Sequence, residues 1–286
     1  MQCLFQSSIH QTTLAVVLCF NSSFCIAEVN SKQTLNYSSI HSISHSEMSW
    51  LGDKIYQNEC ASKPENLTFW GEGEDFPSMG IGHFIWFTGE RGEPFYETFP
   101  AMFEYVAQFK SPPSWMVELS PFVSPWKSKR AFDNSLHSAR LIELKQWLLS
   151  TRGHQAQFIV NQFSVRFENA LLSLDKQRGK QYQKIINRML AFKLGRFAVI
   201  DYVNFKGLGN INEQYQGEQW GLISVLDSML ARDIEIDKIT DTQLLKALID
   251  SAKLRLKLRV KLAPKERMEN RWLKGWYKRL DGYVVE

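Results

Sequence analysis

Apolar and polar positions alternate along this chain with three different textures. Residues 28–46, rich in Ser and Asn with little apolar periodicity, read as a flexible leader. From Glu47 a helical spacing sets in: Met48, Leu51 and Ile55 share one face, Ser46 is a suitable N-cap, and Pro64 requires the helix to have ended. Residues 66–99 are dense in glycines, aromatics and acids. The apolar run Phe84-Ile-Trp-Phe87 lies there between turn signals at Gly80-Ile-Gly82 and Gly89–Gly92, which predicts a small β-hairpin lobe. Pro112, Pro113, Pro121 and Pro125 make residues 100–132 broken helix and loop.

From about residue 133 to the C-terminus the pattern is helical. Ala139, Ile142, Leu144, Trp147 and Leu148 mark one amphipathic helix that stops near Gly153. Further helices are expected at about 154–174, 180–193, 195–204, 215–231, 241–262 and 268–280. Lys253–Leu262 alternates strictly, as a strand would, yet Ile249, Ala252, Leu256 and Val260 also fall on one helical face. Its helical surroundings favour helix. No internal repeat is visible. The predicted class is mainly α (α+β), a single domain over residues 47–286.

Composition changes this picture at the N-terminus. Residues 1–27 carry no Lys, Arg, Asp or Glu and hold the apolar stretch Leu14–Phe20 followed by Cys25-Ile-Ala27. A short apolar segment with a small residue before a cleavage point reads as a secretory signal, although the usual basic start is missing. The expected location is therefore periplasmic or secreted. Of the four cysteines, Cys60 alone follows that segment, so the fold must rest on its core and not on a disulfide. Neither Cys19 nor Cys25 follows the small residue that a lipoprotein signal needs, and no membrane anchor is expected. The net charge of +4 is mild, but Lys253–Arg279 holds eleven Lys or Arg. A solvated face is the plainest reading of that cluster. It would also suit an anionic wall polymer, whereas nothing around it looks like a nucleic-acid module.

The residues with chemical promise lie between Ile55 and Phe84. Leu51, Ile55 and Glu59 stand at i, i+4 and i+8, which projects the Glu59 carboxyl from the apolar face in the last helical turn. Desolvation and the negative end of the helix dipole both favour a protonated acid there, as general acid catalysis near neutrality requires. The acids Glu72, Glu74 and Asp75 follow among glycines. Glycosidic cleavage needs a proton donor on one side of the sugar and a group to handle water or positive charge on the other, and any of these three could supply the second. Ser78-Met-Gly80-Ile-Gly82-His83 comes next. Its glycines allow close backbone approach but lack the partners of a phosphate loop.

Together these pieces resemble phage-type lysozymes and endolysins, over about thirty residues. In that family a catalytic Glu ends the first helix, and a hairpin then carries an acid, a small hydroxyl residue and a Gly-Ile-Gly-His turn. The resemblance implies a lysozyme-like fold with Glu59 as catalytic acid, Glu72 at the place of the second acid (usually Asp), Ser78 as the hydroxyl residue (usually Thr), and Gly80, Ile81, Gly82 and His83 as the turn. The spacing from Glu59 to Gly80 is longer than usual in that family, so the second acid stays open among Glu72, Glu74 and Asp75. Most of the chain is also similar to an uncharacterised branch of exported bacterial lysozyme-like proteins. Asp201–Gly207, Glu218–Leu222 and Arg271–Trp276 carry that second likeness.

Beyond the motif, Asn204-Phe-Lys-Gly-Leu-Gly-Asn210 with Glu213, Tyr215 and Trp220 has the make-up of a sugar-binding loop or, equally, of a helix connection whose glycines are caps. His83, His137 and His154 lack metal-site spacing, so no metal and no cofactor is expected. Cys60, about 100° round the helix from Glu59, reads as buried filler. The expectation is a monomeric glycoside hydrolase acting on peptidoglycan or a related glycan polymer. The alternatives are a lytic transglycosylase using Glu59 alone and a non-catalytic glycan-binding envelope protein.

Overall fold

The long helix opening the described part of the chain sets the frame. The structure is a computed structural model that describes residues 43–89, 96–209, 213–232 and 234–285. The signal segment 1–27 and all of the expected leader except its last four residues lie outside the described residues. Helix α1 spans His45–Cys60 and begins two residues earlier than its pattern predicts. Ser44, not Ser46, is the N-cap, its hydroxyl accepting the Glu47 N–H at 3.2 Å. Met48, Leu51, Ile55 and Cys60 are buried, and Ala61 in the left-handed region (φ 51°) ends the helix.

A three-stranded antiparallel sheet follows: β1 (Thr68–Phe69), β2 (Ser78–Met79) and β3 (Phe84–Ile85), with β2 central and Ser78 opposite both Phe69 and Ile85. The expected hairpin lobe is thus real but minimal, two residues per strand. Beyond it, Trp86 is fully buried against Phe99 (ring centroids 4.6 Å) and Phe122 (5.2 Å). Three helices lie in the segment expected to be broken by prolines: α2 (Phe99–Ala107), α3 (Ser114–Val117) and α4 (Lys129–Asn134). Pro100 occupies the first turn of α2, where its missing N–H costs nothing.

The remainder is helical: α5 (Ala139–Ser150), α6 (Arg152–Leu172), α7 (Lys176–Leu190), α8 (Lys193–Lys206), α9 (Leu222–Leu230), α10 (Asp241–Leu262) and α11 (Asn270–Asp281). The chain is mainly α, as predicted, and Lys253–Leu262 is the second half of a 22-residue helix capped by Thr240 and Gln243. The helix expected to stop near Gly153 ends at Ser150, and the next begins at Arg152. One expectation fails. The predicted helix 215–231 begins with a hairpin instead, β4 (Gln214–Tyr215) and β5 (Glu218–Gln219), turned through Gln216 (φ 52°) and Gly217 (φ 84°). Helical periodicity there starts only after Gly221.

Helix α1 lies along α6, and Gly52 sets how closely. A Cβ there would stand 2.7 Å from the Arg152 carbonyl oxygen, whereas one on Gly153 would meet Ser49 Cα at an ordinary 3.5 Å. From α6 the side chain of Gln155, wholly buried, fixes the sheet turn. Its Oε1 accepts the Ile81 N–H at 2.9 Å while its Nε2 donates to Leu148 O (2.7 Å) and Thr151 Oγ1 (2.9 Å). Gly80 (φ 73°) must be glycine, since a Cβ would meet Gln155 Oε1 at 2.3 Å. Among the described residues no helix is long and apolar enough to cross a membrane. Gln155→Leu should strand the Ile81 N–H and remove the bonds to Leu148 O and Thr151 Oγ1. We expect a loss of roughly 2–3 kcal/mol in urea unfolding, and an unchanged midpoint would contradict this anchoring role.

Candidate functional site

Glu59 occupies the last turn of α1, on the face that carries Leu51 and Ile55, and its side chain is 14 % exposed. Three other parts of the chain converge on it. Asn204, near the end of α8, donates from Nδ2 to Glu59 Oε1 at 2.8 Å. Arg279, in the last turns of α11, donates from Nη2 to the same oxygen at 2.6 Å. His83, held at φ 47° in the β2–β3 turn, places Nδ1 3.8 Å from Oε2. The apolar setting expected for Glu59 is corrected here: its partners are a guanidinium and an amide. A buried carboxylate is tolerated when charge-assisted donors replace its water.

Arg279 is itself held by Asp201, the sole acid in α8 and 0 % exposed. Nε and Nη2 of Arg279 donate to the two Asp201 oxygens, each at 2.7 Å, and Tyr283 adds its hydroxyl at 2.7 Å. The guanidinium also lies 4.2 Å over the Phe205 ring. Burial opposes the Arg279 charge, but Asp201 and Glu59 outweigh it and hold the guanidinium firmly protonated. Burial, with Asp201 beside it, pushes the Tyr283 hydroxyl well up. Lys206, at the end of the same helix α8, has its Nζ 3.9 Å from both the Phe205 and the Trp276 rings. Burial, with Arg259 and Arg279 close by, pushes its ammonium down to about 7.

Besides a cleft of about 700 Å³ that Phe205, Trp276 and Arg279 help to line, two more meet at Asn204. One, of about 570 Å³, is lined by residues that include Asn204, Lys206, Glu213, Tyr215, Trp220 and Arg259. The other, of about 540 Å³, includes Gly82, Phe84, Glu97 and Phe158. Arg166, Val203 and Asn204 line both. Glu59 lines neither directly; Asn204 is its link to the first and to the second.

The other candidates separate. Glu72, Glu74 and Asp75 are exposed, and among the described residues none makes a hydrogen bond or ion pair with Glu59. Glu72 contributes to the field at Lys129. Glu74 closes its own turn, its carboxylate accepting the Gly71 N–H at 3.0 Å. Ser78 is buried in the central strand and Gly80 faces Gln155, so both serve the turn, whereas Gly82 and His83 face a cleft or Glu59. Of the loop candidates, Asn204 and Glu213 line a cleft. Trp220 lines it too but is only 5 % exposed, covered by Arg259 at 4.1 Å, so it offers no open ring face to a sugar. Asn210 lies outside the described residues. Cys60 is wholly buried, and burial together with Glu59 pushes its thiol up to about 12, which fits inert filler.

Arg279, Asp201 and Tyr283 were missed in the sequence. Asp201 had a usable signal, since a lone acid inside Phe197-Ala-Val-Ile-Asp-Tyr-Val needs a buried partner. Arg279 was lost in a basic run. Neither a family model, a curated protein nor a solved structure matches the chain.

Lys206 gives this region a pH signature. Its folded value is lowered from 10.5 to about 7, so between pH 7 and pH 9 the unfolded chain binds the extra proton and stability rises with pH. Lys206→Met should be more stable than the parent at pH 7 and should flatten that rise in thermal unfolding. Parallel pH curves for the two proteins would contradict it.

Proposed function

We propose that this chain is an exported glycan-cleaving enzyme of lysozyme-like architecture that acts on peptidoglycan, with Glu59 as its general acid. The observation that carries the reading is the convergence on one helix-end carboxylate of the Gly-Ile-Gly-His turn, α8 and α11, beside clefts wide enough for sugar rings. A mainly helical chain with a small sheet after its first helix supports it as well.

The hydrogen bonding divides the two oxygens of Glu59. Oε1 accepts from both Asn204 and Arg279, which is the work of a carbonyl-like oxygen. Oε2 has only His83 nearby, at 3.8 Å, and is the oxygen free to carry a proton. Asp201 already holds Arg279 through two bonds, so protonation of Oε2 would leave the guanidinium paired. In the chemistry this allows, Oε2–H protonates the leaving glycosidic oxygen while Asn204 and Arg279 keep the carboxyl in orientation.

The behaviour of the three expected second acids favours the lytic transglycosylase as second reading. Glu72, Glu74 and Asp75 make no hydrogen bond or ion pair with Glu59, and a reaction completed by the sugar's own hydroxyl needs none of them. Glu59→Gln, which keeps Oε1 as an acceptor, should fold normally and release fragments from purified sacculi at least about 100-fold more slowly. Anhydro ends among the parent's products would assign the transglycosylase, and reducing ends the hydrolase. An unaffected rate in Glu59→Gln, or no release by the parent protein, would overturn the enzymatic reading.

A further inference from the structure

The cleft beside Asn204 carries more positive charge than its acids compensate. Arg166, Lys206, Arg259 and Arg267 all line it, against Glu213 alone on its wall. Behind the wall Glu269, 0 % exposed, serves two arginines at once. Arg259 donates from Nε at 2.7 Å and from Nη2 at 2.9 Å, and Arg267 adds Nε at 3.2 Å, with Tyr215 also donating its hydroxyl at 2.7 Å. Arg166 is exposed and has no ion-pair partner among the described residues. It stands where the two clefts join. Arg267, with its side chain 53 % exposed, gives Glu269 only part of its fork.

We propose that this cleft is a subsite for an acidic sugar residue, whose carboxylate is received by Arg166 and Arg267. This rests on the reading that the clefts hold a glycan, and it selects carboxylate-bearing strands over neutral ones. Guanidinium groups suit such a group because their planar forks match a carboxylate and are weakly hydrated. Asn204 and Glu213 remain to bond neutral hydroxyls. Lys206 responds to the same field. The groups around it are Phe205 on its own helix, Arg259 from α10, Trp276 and Arg279 from α11, Glu269, and Glu59 from α1. An arriving carboxylate adds negative charge beside an amine that is half protonated near neutrality, so binding takes up a proton at pH 7.

The test is calorimetric titration of the full chain with two probes, the hexamer of N-acetylglucosamine and the same hexamer bearing carboxymethyl ethers. At low salt the carboxymethylated hexamer should bind at least ten-fold tighter. Arg166→Gln and Arg267→Gln should each lower the ratio of the two affinities several-fold, and buffers of different ionisation enthalpy should reveal net proton uptake at pH 7. Equal affinity for the two probes, or a preference that survives both substitutions in folded protein, overturns the subsite and leaves the glycan reading intact. If neither hexamer binds and sacculi are not cut, both fall together. Selective binding without cutting supports the subsite and counts against the enzyme alone.

Discussion

Arg279, buried between Asp201 and Glu59, is the contact on which the site depends. A guanidinium taken out of water is costly, and it is stable in this position only because two carboxylates, a tyrosine hydroxyl network and an aromatic ring replace the lost hydration. Removing Asp201, which takes two of its hydrogen bonds, would leave a buried charge uncompensated, which costs more than the pair contributes. The three helices that supply these groups, α1, α8 and α11, are therefore tied by one charge, although more than 200 residues separate Glu59 from Arg279.

The second constraint is steric and comes from glycine. Gly52 lets α1 and α6 approach to backbone contact, and Gly80 lets the β2–β3 turn close over Gln155. Through Gln155 the sheet turn is indexed to α6, and α6 is indexed to α1. His83 consequently arrives beside Oε2 of Glu59, whereas Arg279 takes Oε1. Two independent anchors, one ionic and one made of glycine contacts and amide hydrogen bonds, thus locate the same carboxyl. Asn204 connects that carboxyl to the clefts.

Much of this was legible in the sequence where a local rule operates. The 3.6-residue spacing of Met48, Leu51 and Ile55 located α1 and put Glu59 on its inner face, and the Gly-Ile-Gly turn foretold a tight bend. Most long helices followed from the same periodicity, and the small sheet after α1 from its turn signals. What failed was non-local or a matter of short-range competition. Residues 215–219 read as the start of the helix that follows, but Gln216-Gly217 makes a hairpin there. Glu74 resembles a catalytic acid until its carboxylate is seen to close its own turn. Trp220 has the chemistry of a sugar platform, and only packing reveals Arg259 lying over it. Arg279 is one of eleven cations in a basic stretch, and nothing local distinguishes the one that Asp201 buries.

The account reduces to whether the free oxygen of Glu59 can reach a glycosidic oxygen. A crystal structure of the Glu59→Gln protein with a bound wall-glycan hexamer decides this directly. The account predicts a sugar chain along the clefts at Arg166 and Asn204, with a bridging oxygen within about 3 Å of the side-chain end of residue 59. A glycan seated elsewhere, or one kept from residue 59 by an unmoved Asn204, would contradict it.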